Sequence, residues 1–152
     1  MTLLIYNALM LFLIYLQSCT NERNNEYKYI ESQIKDIYGI QLDRNIKEIY
    51  LVNDIGCGNC VITFSNYILD NVVTKRNNDK LILINSMGVN VNTEKFRTYS
   101  DKNIIINKNI RDTDDLLPDL GVIILNQNCV DTIITITASE IVNQLNYVDS
   151  YQ

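Results

Sequence analysis

Apolar residues follow two different spacings along this chain. In "EYKYIESQIKDIYG", Tyr27, Ile30, Ile34 and Ile37 recur every three or four positions and the segment stops at Gly39, which predicts a short amphipathic helix. "IKEIYLVN" (46–53) is instead a β-branched and aromatic run suited to a buried strand. From Val61 the helical spacing returns: Val61, Phe64, Ile68 and Val72 form a stripe, flanked by Ile62, Leu69 and Val73, and it dissolves in "TKRNNDK". "LILIN" (81–85) and "NIIIN" (103–107) read as strands, the first covered on both faces, with a short helix between them over "NTEKFRTYS". "DTDDLLPDLG" reads as a loop carrying the only proline, Pro118. "VIILNQNCVDTIITIT" is a hairpin turning at Asn126-Gln127-Asn128. Thr137 and Glu140 fit a capping box ahead of a last helix through Ile141, Val142, Leu145 and Val148. Strand–helix–strand units give parallel pairing and the hairpin adds antiparallel strands, so the expected fold is a three-layer α/β sandwich with a mixed sheet.

The first residues stand apart. Leu3 to Leu16 is an apolar run too short for a comfortable spanning helix, and it ends in small and polar residues as a secretory signal does. Leu16-Gln17-Ser18-Cys19 resembles a bacterial lipobox. That resemblance implies a lipoprotein signal peptide over 1–18, lipid attachment at Cys19, and a chain anchored to the extracytoplasmic face of the cell or outer membrane. The segment before the apolar run has no Lys or Arg, unlike most such signals. An uncleaved membrane helix is the alternative, and it too places the remainder outside the cytoplasm. Residues 19–26 read as a polar tether, leaving one domain over 27–152.

Composition changes the picture mainly by exclusion. With 152 residues the chain suits one domain, and a formal charge of −5 gives no basic patch for nucleic acid. There is no histidine, which removes Ser-His and Cys-His catalysis and histidine-ligated zinc or copper sites.

Candidate chemistry therefore centres on Cys57-Gly58-Asn59-Cys60, between a strand and a helix. A helix N-terminus offers unpaired N–H groups and a partial positive charge, which stabilise a thiolate. Cys57 would be the exposed nucleophile and Cys60, one turn along and more buried, the resolving thiol. Asp54 would oppose the thiolate if close. A static disulfide in an oxidising compartment is an alternative reading of the pair. A zinc site needs four ligands, and only Cys57, Cys60 and Cys129 remain unlipidated, so no metal or cofactor is expected. Cys129, at the tip or start of the hairpin, reads as a small semi-buried residue, with a resolving cysteine as the alternative. Asp112, Asp114 and Asp115 read as a solvated acidic loop.

With the dithiol at the junction of the first core strand and its helix, residues 46–149 resemble the thioredoxin fold, and the whole resembles bacterial membrane-anchored thiol–disulfide oxidoreductases. The resemblance implies exchange on thiol- or disulfide-containing extracytoplasmic proteins, with a redox-donor protein as second partner. It also implies substrate contacts from the segment facing the dithiol, where Pro118 is the only candidate for the family's cis-proline and Gly121 is the candidate for that proline's place. Two positions depart from the family: Gly56 stands where an aromatic residue is usual, and Leu51 where many redox-active members carry a buried acid. A non-catalytic thioredoxin-fold lipoprotein that binds a partner in a membrane-associated complex is the alternative reading.

Overall fold

The computed structural model describes residues 21–55, 57–75, 78–99, 103–108 and 117–151. The signal segment, Cys19, Gly56 and the acidic Asp112, Asp114 and Asp115 lie outside them. The first helix, α1 (Asn21–Tyr38), buries Tyr27, Ile30 and Ile34. It ends where Gly39 adopts φ +70° and donates its N–H to the Lys35 carbonyl at 2.9 Å, a left-handed stop that glycine takes without a Cβ penalty. The helix starts at Asn21, inside the stretch that the sequence suggests is a tether, because no apolar periodicity marks its polar first turns. Arg23 there meets Asp131 at 3.6 Å.

Strand β1 (Glu48–Asn53) is buried at every position and lies at the centre of the sheet. It pairs in parallel with β2 (Lys80–Asn85) from Glu48↔Lys80 to Asn53↔Asn85. On its other side it runs antiparallel to β4 (Leu120–Asn126), with Val52 opposite Leu120. The edges are β3 (Ile104–Asn107), parallel to β2, and β5 (Cys129–Thr135), antiparallel to β4, giving the order β3-β2-β1-β4-β5.

Alternation along β1 divides the core. Ile49 and Leu51 face the side of Ile30 and Ile34 from α1. Tyr50 and Val52 face Val61, Phe64 and Ile68 of the helix α2 (Gly58–Tyr67) and its continuation. Phe96 of the short helix α3 (Thr93–Arg97) and Val148 of α4 (Ile141–Asp149) complete that second layer. Helices on both faces of a mixed sheet make the expected three-layer sandwich.

Helix α2 does not end at Tyr67. Residues Ile68–Val72 widen by one residue per turn, with the Val73 N–H reaching back to the Ile68 carbonyl, before a tighter last turn at Val73–Lys75. The Tyr67 hydroxyl donates to Asp149 at 2.6 Å and so ties α2 to α4. Burial first, and then that carboxylate, raise the Tyr67 pKa above its ordinary value. At the opposite end of β1 from the dithiol, Glu48 accepts from the Tyr50 hydroxyl at 2.5 Å and pairs with Lys80 at 3.0 Å.

One local expectation fails. Thr137 and Glu140 do not form a capping box: α4 starts at Ile141, and Glu140 makes no side-chain cap. Gln144 reaches back instead, accepting from the Thr137 N–H at 2.8 Å and donating to the Thr137 hydroxyl at 3.3 Å. The longer Gln144 side chain, one turn inside the helix, takes the backbone donor that pairs Thr137 with the helix start.

Candidate functional site

The strand order brings four segments to one end of the central strands: the turn after β1, the loop after β2, the start of β4 and the N-terminus of α2. Cys57 caps α2 with extended backbone (φ −69°, ψ 100°), and its carbonyl accepts the Val61 N–H at 3.0 Å, which begins the helix. Cys57 and Cys60 form a disulfide across one helical turn, Cα to Cα 5.3 Å. Cys57 and Asn59 are exposed, whereas Cys60 is 5% exposed and packs into the α2 side of the core with Val61 and Phe64. The Cys57 side chain makes no cap hydrogen bond and the first turn of α2 holds no acidic residue, so the positive end of the helix dipole faces the pair without a counter-charge from that turn.

Asp54 is near but otherwise occupied. Its own N–H donates to the Asn85 carbonyl at 2.9 Å. Its carboxylate accepts from Ser86 Oγ at 2.6 Å, from the backbone N–H groups of Val89 and Asn90, each at 3.1 Å, and from Asn90 Nδ2 at 2.7 Å. Burial pushes its pKa up, but the hydrogen bonds from Ser86, Asn90 and Val89 outweigh burial and hold the carboxyl below its ordinary value. The carboxylate thus organises the loop over residues 86–90. Asn90 in turn reaches the dithiol turn: a Cβ built on Gly58 would lie 2.9 Å from Asn90 Oδ1.

Pro118 and Gly121 fall at the same end of the sheet. Pro118 is half-buried just before β4, and the described residues contain no cis peptide bond. Asp119 carries the link to β1, its carbonyl accepting the Asn53 N–H at 2.7 Å and its carboxylate the Asn53 side chain at 2.9 Å. The strand begins at Leu120 rather than at Val122, so Gly121 lies within β4, opposite Leu51. Leu51 itself is buried on the α1 side of the sheet. Cys129 is half-buried and opens β5 opposite Asn126. The semi-buried position that the sequence suggests for Cys129 holds.

Two features escaped sequence reasoning. One is the Asp54 hub. The other is a row of asparagines, Asn53, Asn85 and Asn107, in register across the last positions of β1, β2 and β3. The three strands end alike in the sequence, as "LVN", "LIN" and "IIN", and that repeat is the signal that could have revealed the row. Asn107 donates to the Ile37 carbonyl at 2.9 Å, while fully buried Asn85 has no partner for Oδ1 or Nδ2.

Among the described residues no cluster of three His, Cys, Asp or Glu side chains is placed to hold a metal, and no helix is long and apolar enough to cross a membrane. No family model, curated protein or solved structure matches the chain. The mixed five-stranded sheet with its close Cys57–Cys60 pair is compatible with a thioredoxin-like domain.

Proposed function

We propose that the protein performs thiol–disulfide exchange on extracytoplasmic proteins, held at the membrane by a lipid on Cys19. The observation that carries this reading is the asymmetry of the pair, with Cys57 exposed at an uncapped helix start and Cys60 buried one turn inside. In the reduced protein the Cys57 thiolate attacks one sulfur of a substrate disulfide, forming a mixed disulfide and expelling the first substrate thiolate. Cys60 then loses its proton and attacks Cys57 Sγ, which re-forms the Cys57–Cys60 disulfide and releases the second thiolate. Two electrons pass from the dithiol to the substrate, and a dithiol donor protein returns them for the next turnover.

In cells expressing the full chain, Cys60→Ser is expected to trap mixed disulfides on a non-reducing gel and Cys57→Ser to trap none. Equal trapping by both variants, or a Cys57 thiol titrating at or above the free value of about 8.5, would overturn the exchange reading. Lipidation has its own test: Cys19→Ala should abolish fatty-acid labelling and release the domain from membranes. Recovery of Cys19 in a disulfide by peptide mapping would sink that part, since one sulfur cannot carry both bonds.

A second reading rests on the exposed Met87 and Val89, 66% and 79% accessible in the loop that Asp54 holds. They suit contact with a partner protein, so a non-catalytic partner-binding module is what remains if exchange fails.

A further inference from the structure

Asp54 directly follows β1 and the segment from Ser86 to Asn90 directly follows β2, so the parallel pairing of these strands sets the two turns side by side. The Asp54 carboxylate fixes Asn90 twice, through its backbone N–H at 3.1 Å and its side-chain Nδ2 at 2.7 Å. With the amide nitrogen so held, Oδ1 is directed at residue 58, where an added Cβ would meet it at 2.9 Å. Gly58 has no left-handed backbone angle. Its lack of a side chain answers to Asn90 and not to backbone strain.

We infer that Asn90, held by Asp54, is a positioning residue that packs on Gly58 and fixes the turn joining Cys57 to Cys60, so that it sets the balance between dithiol and disulfide. This rests on the exchange reading above. Closing the ring requires the two sulfurs to meet, and a turn already held in that geometry raises the effective concentration of one thiol at the other. Without the amide, the reduced turn spreads over more conformations, the disulfide forms less readily, and it is reduced more easily. Asp54 acts through Asn90 in this scheme, not through its charge.

The test equilibrates the full chain, solubilised in detergent, with glutathione buffers and counts dithiol by alkylation mass shift. Asn90→Ala and Asp54→Asn are each expected to lower the equilibrium constant for disulfide formation by about threefold to tenfold, tenfold being about 30 mV for this two-electron couple. Gly58→Ala is expected to shift the equilibrium when Asn90 is present and to add nothing in the Asn90→Ala background, where the new methyl finds the vacated space. An Asn90→Ala protein within twofold of the parent, or a Gly58→Ala shift of equal size in both backgrounds, would overturn the inference. An Asp54→Asn shift with no matching Asn90→Ala shift would do the same, by assigning the effect to charge. If Asp54→Asn fails to fold, the Gly58 and Asn90 variants decide alone. If the parent chain itself never equilibrates with glutathione, the exchange reading fails. The contact between Gly58 and Asn90 is then judged by the same double-variant cycle read as thermal stability.

Discussion

A Cβ on Gly121 would lie 2.5 Å from the Ile134 carbonyl and 2.7 Å from the Pro118 ring. Neither can yield easily, since one is backbone of the neighbouring strand and the other a ring in the turn that links Asp119 to Asn53. Gly121→Ala is therefore expected to destabilise the protein by about 1–3 kcal/mol, the usual cost of overpacking, as read by chemical denaturation. A change within about 0.5 kcal/mol would show that β4 and the turn before it can separate freely. The sequence marks Gly121 as a position of interest through a resemblance to a proline-bearing segment. The structure supplies a different physical reason, close approach of the Pro118 ring and β5. Asp54 shows the limit of local reading more sharply. Its partners lie at Ser86, Val89 and Asn90, and no spacing rule connects an acid after one strand to polar groups after the next.

Strands and helices were legible wherever burial imposed a period. β1 and β2 are buried at every position and show in the sequence as unbroken apolar runs. α1 and α2 bury one stripe each and show the helical spacing. Helix ends were less legible, because small competing hydrogen bonds decide them, as Gln144 does at Thr137. The hairpin was legible from its polar interruption, and the structure adds the conformation: Gln127 and Asn128 have φ +50° and +65°, the two left-handed residues of a type I′ turn. Glutamine suits that conformation poorly, at a cost of about 1–2 kcal/mol for an ordinary L-residue. Replacing the pair by Asn-Gly (Gln127→Asn with Asn128→Gly) is expected to stabilise the protein by about 1 kcal/mol, seen as a rise in Tm. A fall in Tm would mean that the native side chains make contacts that outweigh the backbone preference.

For the molecule as a whole, the Cys57–Cys60 bond spans a single helical turn while the two core layers hold the sheet. Cys57→Ser combined with Cys60→Ser should then cost less than about 2 kcal/mol, because so short a loop removes little entropy from the unfolded chain. A loss well above that in urea unfolding would make the bond a structural staple. The central place of β1 has a consequence in time. Its parallel neighbour β2 follows soon after it, but its antiparallel neighbour β4 comes only after α3 and β3 have been made. A chain emerging N-terminus first at about 5–20 residues per second thus presents both cysteines for seconds while the strand that leads into them has one side open. Cys60 shares its core layer with Leu120, Val122 and Ile124 of β4, so that layer is complete around it only once the last part of the sheet has been made.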